Sequence, residues 1–298
     1  MNKVNLLRRF YIYQDERFPL KYLAFTTFAV VISSAAVLSF DVSITKILAS
    51  YFSGLFFIFH IRVIDESRDF KHDVKFHPKR PIPRGLITIK ELMILDLFGL
   101  ASFLFISLYY GMESSIYGSI LLIFSFFAWK DFFLSEEFKK NHFYIYNSIH
   151  MIQMVLLQLF VYVIFTNQFT LNKVMIIHLL FVIFNTIILE FIRKIKTDKE
   201  ESKGKDTYSW HLGYKKSLYI FYAFNILNVI TFIWMLYSIS PNLRWYGVIT
   251  LTLFGILSIG LFLHLKNKNK NSELFLMVAT ISNYICLNFL VYFYSLNG

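Results

Sequence analysis

Nine long apolar runs, most of them close to the length that crosses a bilayer, recur along the whole of this chain. They fall at about 22–40, 43–64, 91–110, 114–129, 144–166, 172–192, 215–239, 244–265 and 273–296, the fourth being the shortest. A membrane-spanning helix needs roughly 20 apolar residues. The expected fold class is therefore all-α, a polytopic membrane protein with nine transmembrane helices. Only 16% of the 298 residues are charged and 56% are hydrophobic, whereas soluble domains carry about a quarter charged.

The basic residues sort themselves by side. Counted in alternate gaps between runs, 27 of the 30 Lys and Arg lie with the N-terminal arm, residues 65–90, 130–142, 193–216 and 266–270, together with Arg62. The other side keeps Lys46, Lys173 and Arg244. Such asymmetry in short loops places the basic side in the cytoplasm, so the N-terminus is expected inside and the C-terminus outside. The net charge of +11 then belongs to anionic headgroups of membrane lipid, and no nucleic-acid partner is expected. The single cysteine, Cys286, lies in the last run, which excludes disulfides and Cys-based metal sites. No cleavable signal sequence, appended soluble domain or internal repeat is expected.

At the end of the second run stands DESRDFKHD, residues 65–73, with four acids and three basic or imidazole side chains. On a helix, Asp65, Asp69 and Asp73 occupy i, i+4 and i+8, which stacks three carboxylates on one face with Glu66 beside them. Like charges at that spacing repel, and a bound cation relieves them. An all-oxygen donor set suits Mg²⁺, which is usually held by one or two carboxylates together with substrate phosphates. An acidic stretch in a cytoplasmic loop is equally consistent with solvated surface, paired with its own Arg68 and Lys71. The next segment, FHPKRPIPRG at 76–85, holds three of the chain's five prolines and the guanidinium groups of Arg80 and Arg84. Proline fixes a turn there, and the planar fork of Arg suits phosphate oxygens. Thr88 to Glu91 then reads as a capping box that opens the third span.

An acidic D-E-x-x-D-x-x-x-D followed by R-P-x-P-x-G resembles the UbiA-type superfamily of intramembrane prenyltransferases. Asp65, Glu66, Asp69 and Asp73 match its first motif, with Glu replacing the second acid, and Arg80, Pro81 and Gly85 match the second part. The resemblance covers nearly the whole chain and implies a single transmembrane domain over 1–298, with nine helices in a ring around a central cavity. It also implies a second acidic motif after span six, where LEFIRKIKTDKEESKGKDTYS stands at 189–209. Glu190 and Glu201 keep acids there and Arg193 keeps a base. Lys194 and Thr197 occupy positions where carboxylates are expected, and Asp198 is one position off. Four spans separate the two acidic regions, so both face the same side, where they are expected to flank one diphosphate. The metal set so implied is Asp65, Glu66, Asp69, Asp73, Glu190, Asp198 and Glu201. Arg62, Arg80, Arg84, Lys130, Arg193 and Lys194 are the implied diphosphate contacts, Lys130 being equally consistent with a solvated loop lysine.

Polar side chains within the runs usually face a bundle interior. Span five carries Asn147, His150, Gln153 and Gln158; span six carries His178, Asn185, Thr186 and Glu190; span seven carries Asn225 and Asn228. They either line a cavity or join helices by hydrogen bonds. His60 and His264 read as interfacial or structural, and Asp96 either pairs with a neighbouring helix or contacts the site. The 35 Phe and 19 Tyr permit cation–π stabilisation of a carbocation, but interfacial belts and compositional bias explain them too.

The function implied by the resemblance is Mg²⁺-dependent ionisation of an isoprenyl diphosphate and transfer of the prenyl group to a lipophilic or aromatic acceptor. No nucleophilic side chain is required. A terpene cyclase acting on the diphosphate alone is the alternative, and a transporter a more remote one, disfavoured because the acids gather at one face rather than at mid-bilayer. The expected location is the bacterial inner membrane, with the site facing the cytoplasm.

Overall fold

The computed structural model describes residues 5–38, 42–197, 201, 204–242 and 244–297. Among these, regular structure is helical throughout, in thirteen α-helices and one short 3₁₀ turn. In order they are α1 (Leu6–Arg17), α2 (Leu20–Leu38), α3 (Ile44–Arg68), α4 (Phe70–Phe76), α5 (Ile89–Tyr109), α6 (Met112–Trp129), α7 (Glu136–Asn141), α8 (Phe143–Thr166), α9 (Lys173–Arg193), α10 (Tyr208–Leu212), α11 (Tyr214–Ile239), α12 (Arg244–Asn267) and α13 (Lys270–Asn297). Nine of the described helices are long and apolar enough to span a membrane, one for each apolar run. The protein is an integral, multi-pass membrane protein. A helix suits such runs because it satisfies its backbone amides internally where no water is present.

The helices form two compact units. One comprises residues up to Thr27 and Ser43–Thr170; the other comprises Phe28–Val42 and the chain from Leu171 onward. In the first, Tyr13, Phe18, Val63, Ile82, Ile87 and Leu92 make a buried cluster that ties α1 and the 77–88 loop to α3 and α5. The loop itself is fixed by backbone hydrogen bonds, among them Leu86 N–H to Pro81 O at 2.9 Å and Gly85 N–H to Ile82 O at 2.9 Å. Gly85 has φ +76°, a left-handed backbone that glycine adopts without cost. The capping box forms as read from sequence: Thr88 Oγ1 accepts from Glu91 N–H at 3.2 Å, and Glu91 accepts from Thr88 N–H at 2.9 Å. Glu91 also receives both terminal nitrogens of Arg9, the shorter contact being 2.6 Å. One carboxylate therefore caps α5 and anchors α1.

In the second unit, Phe181, Phe232, Met235, Leu236, Leu287 and Val291 form an apolar core among α9, α11 and α13. Its polar groups act as joints. His178 meets Ser33 Oγ at 2.9 Å, Ser33 donates to Asn288 at 2.6 Å, and Asn228 donates to Asn185 at 3.0 Å. Of the two readings open for His178, Asn185 and Asn228, these contacts are those of helix joints. Thr186 bonds its own helix through Val182 O, and His264 bonds Ser272 at 3.0 Å. In the first unit Asp96 meets His60 across α3 and α5 at 2.7 Å, so the pairing reading of Asp96 is the one realised.

Helices α5 and α6 approach each other closely at Gly118. A β-carbon there would lie 2.2 Å from Ser107 Oγ and 3.1 Å from its Cβ, and Ser107 Oγ is committed to Ser114 O at 2.8 Å. Gly118→Ala is expected to destabilise the chain by about 1–3 kcal/mol, seen as a lower melting midpoint in detergent. Adding Ser107→Ala removes the closer clash and should recover part of the loss.

Candidate functional site

The first acidic stretch begins inside a span and ends in a different helix. The chain remains helical through Arg68 because nothing before it breaks the pattern, and then bends at Asp69, whose φ and ψ of −85° and 0° belong to the bridge region between helix and turn. α4 resumes at Phe70. The expectation of one helix displaying three equivalent carboxylates is corrected by this break: Asp65 lies in α3, Asp69 at the joint and Asp73 in α4.

Their surroundings differ sharply. Asp73 is buried, with 2% exposure, and accepts from Arg80 Nη1 at 2.5 Å, while Arg17 Nη2 lies 3.8 Å from its other oxygen. Glu66 is equally buried. Arg62, one turn earlier on α3, donates to it through two nitrogens, and Arg17 Nε adds a third contact at 2.9 Å. Burial, reinforced by the Arg62 charge, presses the Arg17 guanidinium below its ordinary pKa, and Glu66 opposes that shift. Buried charges survive only when paired this way.

Asp65 and Asp69 are more open, their side chains 30% and 45% exposed, and both lean on Arg68 at 2.8 and 2.9 Å. A third acid joins them that the sequence reading passed over: Asp131 Oδ1 lies 3.4 Å from Arg68 Nε. Asp131 also accepts from Tyr146 OH at 2.5 Å and from Lys139 Nζ at 2.7 Å. Burial works against the charged form of Lys139, but its hydrogen bonds to Asp131 and Glu136 prevail and raise its pKa. Asp131 sits in an unusual turn, in which Asp131, Phe132 and Phe133 all have φ between +51° and +56°. Such backbone costs L-residues about 1–2 kcal/mol each, and strain of this kind gathers at functional positions. No residue type in WKDFF announces it.

The expected diphosphate contacts occupy several settings. Arg80 commits Nη1 to Asp73. Arg84 forks onto Glu16 of α1 at 2.7 and 2.9 Å. Arg62 is spent on Glu66. Lys130 rests its ammonium 3.9 Å from the Trp129 ring centre, a cation–π contact. Span five's Asn147 and Gln153 bond backbone carbonyls of their own helix, and His150 stacks edge-on to Tyr146 and Phe132.

In the second unit α9 ends at Arg193, and Glu190 in its last turn accepts from Arg193 at 2.6 Å and Lys194 at 2.8 Å. Glu201 accepts from the hydroxyls of Thr207 and Ser209, while Ser209 Oγ accepts from Lys196 N–H at 2.8 Å. Tyr208 stacks on Phe191 with ring centres 3.9 Å apart. Glu201 therefore organises the return of the chain into α10. Asp198 lies outside the described residues.

Oxygen-only carboxylates at one helix end, interleaved with guanidinium groups, can hold a hard divalent cation and an anion that shares it. Comparison with known proteins agrees. Residues 21–284 match the model of the UbiA prenyltransferase family. A UbiA homologue from Aeropyrum pernix K1 superposes with a TM-score of 0.64 at 13% identity, covering 90% of this chain and 98% of that one. A UbiA homologue from Archaeoglobus fulgidus bound to GPP and Mg²⁺ gives 0.56 at 14% identity over 94% and 99%. A structure described for digeranylgeranylglyceryl phosphate synthase gives 0.51 at 22% identity, also over 94% and 99%. At these identities the likeness is one of fold. No curated protein matches the sequence.

Arg17 is expected to be a structural partner of Glu66. Arg17→Met should lower the melting midpoint in detergent by an amount equivalent to about 1.5–3 kcal/mol, the cost of losing one charge-assisted hydrogen bond to Glu66, which keeps Arg62. Because Glu66 is shared with Arg62, Glu66→Gln is destabilising by itself, and the double variant should lose less than the two single variants together; simple additivity would refute the pairing.

Proposed function

Because the chain belongs to the UbiA prenyltransferase family, we propose that it is a Mg²⁺-dependent intramembrane prenyltransferase that ionises an isoprenyl diphosphate and passes the prenyl group to a lipophilic or aromatic acceptor. The observation that carries this reading is the division of the first acidic stretch. Glu66 and Asp73 are buried against arginines, whereas Asp65 and Asp69 are partly exposed around Arg68. The donor set fits a hard cation, and Asp65 and Asp69 are the residues that would hold it. Solved relatives bound to GPP and Mg²⁺ and to DMAPP and Mg²⁺ support the assignment. A bound Mg²⁺ would neutralise charge developing on the leaving diphosphate.

The chain's own residues do the remainder. Arg80 has donors beyond the one given to Asp73, and a guanidinium fork with spare N–H groups suits a diphosphate oxygen. Glu66 and Asp73 hold Arg62, Arg17 and Arg80 in place, so the positive field is set before substrate arrives, as electrostatic stabilisation requires. Asp131, itself held by Lys139, adds a third carboxylate beside Arg68. The apolar spans supply a water-poor surrounding for the prenyl tail. The alternation of Lys and Arg between loops supports a site at the cytoplasmic face, and we assign the chain to the bacterial inner membrane. Lys194 and Thr197, in place of acids, and the Phe-rich spans are the features favouring the cyclase alternative.

Purified protein incubated with C10, C15 and C20 diphosphates plus Mg²⁺, with and without extract acceptors, separates the two by mass spectrometry. Prenylated acceptor is expected; a cyclic hydrocarbon or alcohol formed without acceptor would mark a cyclase. Asp65→Ala and Asp69→Ala should each cut turnover by at least about a hundredfold with melting unchanged, and chelation should abolish it. Full turnover in either variant would remove the metal role.

A further inference from the structure

A pocket of about 400 Å³ opens on the apolar flank of the first unit, among α3, α5 and α6. Its size falls within the range of small-molecule sites, and its rim carries exposed apolar side chains, including Leu97, Leu104 and Phe126. Its wall also holds three polar groups, His60, Asp96 and Ser125, none of which contributes to the acidic site.

Their hydrogens can be placed by counting. Ser125 Oγ donates to Leu122 O at 2.8 Å, which spends its only hydrogen. The 3.1 Å contact between Ser125 Oγ and His60 Nε2 must then run from Nε2–H to the hydroxyl. On the other side of the ring, His60 Nδ1 and Asp96 Oδ2 lie 2.7 Å apart and share one proton, whichever atom carries it. In either case Asp96 Oδ1 is left as an acceptor, and no described residue donates to it. The residue is 95% buried, with exposure of 5%, in a span where an unsatisfied acceptor is costly.

We propose that this pocket binds a lipophile bearing a hydroxyl group, whose O–H donates to Asp96 Oδ1 while its hydrocarbon body lies along the apolar flank at Leu97, Leu104 and Phe126. The chemistry is that of a long-chain alcohol or a phenol. A hydroxylated membrane lipid and a phenolic acceptor both present it, and the site stands whether or not the chain transfers prenyl groups.

Photolabelling of the purified full chain by a diazirine-bearing long-chain alcohol, compared with the matching methyl ether, tests the proposal. The alcohol should label peptides spanning 93–104 and 122–129 at roughly tenfold lower concentration than the ether, the difference one buried hydrogen bond makes. Asp96→Leu should reduce alcohol labelling to the ether's level, and Leu97→Trp, at the exposed rim, should lower labelling by both probes with melting unchanged. Equal labelling of the wild-type chain by the two probes would overturn the proposal without any variant, since a pocket that only accepts hydrocarbon, or one whose Oδ1 keeps a water, gives that result. Competition assigns the source: displacement by diacylglycerol points to a membrane lipid, displacement by a simple phenol to an acceptor, and displacement by neither counts against the site.

Discussion

The arrangement of the first unit depends on pairing carboxylates with arginines where a membrane span meets water. A lone carboxylate moved into apolar surroundings would lose far more hydration than any single contact returns. Glu66 stays buried because Arg62 approaches from one turn earlier and Arg17 from a separate helix. Asp73 stays buried because the proline-rich loop folds Arg80 back onto it. Each pair fixes an element the membrane does not hold: α1 by Arg17, and the 77–88 loop by Arg80.

Those restraints sort residues that look equivalent in the sequence into two kinds. Glu66 and Asp73 are each buried against two arginines. Asp65 and Asp69 share Arg68 and are the more exposed pair, the acids proposed to hold a cation. Arginine suits both tasks, since its planar fork makes several directed hydrogen bonds. Lysine is placed differently here: Lys130 over an indole ring and Lys139 over two carboxylates.

Much of the fold was legible because hydropathy alone governs spans. All nine apolar runs became helices, and the Thr88–Glu91 cap formed as its spacing required. Part of the candidate site was legible for the same reason that motifs are: residue type and spacing placed four acids and three arginines within twenty residues. What spacing could not show was the bend at Asp69, since helix propensity continues through ESRDFKH, nor the pairing of Asp73 with Arg80 seven residues on. Nor could it show Asp131, because its three-residue left-handed turn contains neither glycine nor asparagine. The Arg9–Glu91 and Arg84–Glu16 pairs join residues 82 and 68 positions apart, beyond the reach of any local pattern.

Glu190 extends the reasoning to the second acidic segment. In an α-helix, cations near the C-terminus are favoured by the macrodipole, and an acid in the last turn is not. Glu190 occupies that turn and is matched by Arg193 and Lys194, three and four residues on. The acids that the family pattern would place at 194 and 197 would add negative charge where the dipole already opposes it, and only a second cation would make such a cluster stable. With Lys194 in that place the helix end is balanced by the chain itself. At Glu190 the charge is thus met by the chain's own cations, whereas Asp65 and Asp69, with Asp131 close by and Arg68 shared among the three, form the proposed segment whose charge a divalent cation would complete.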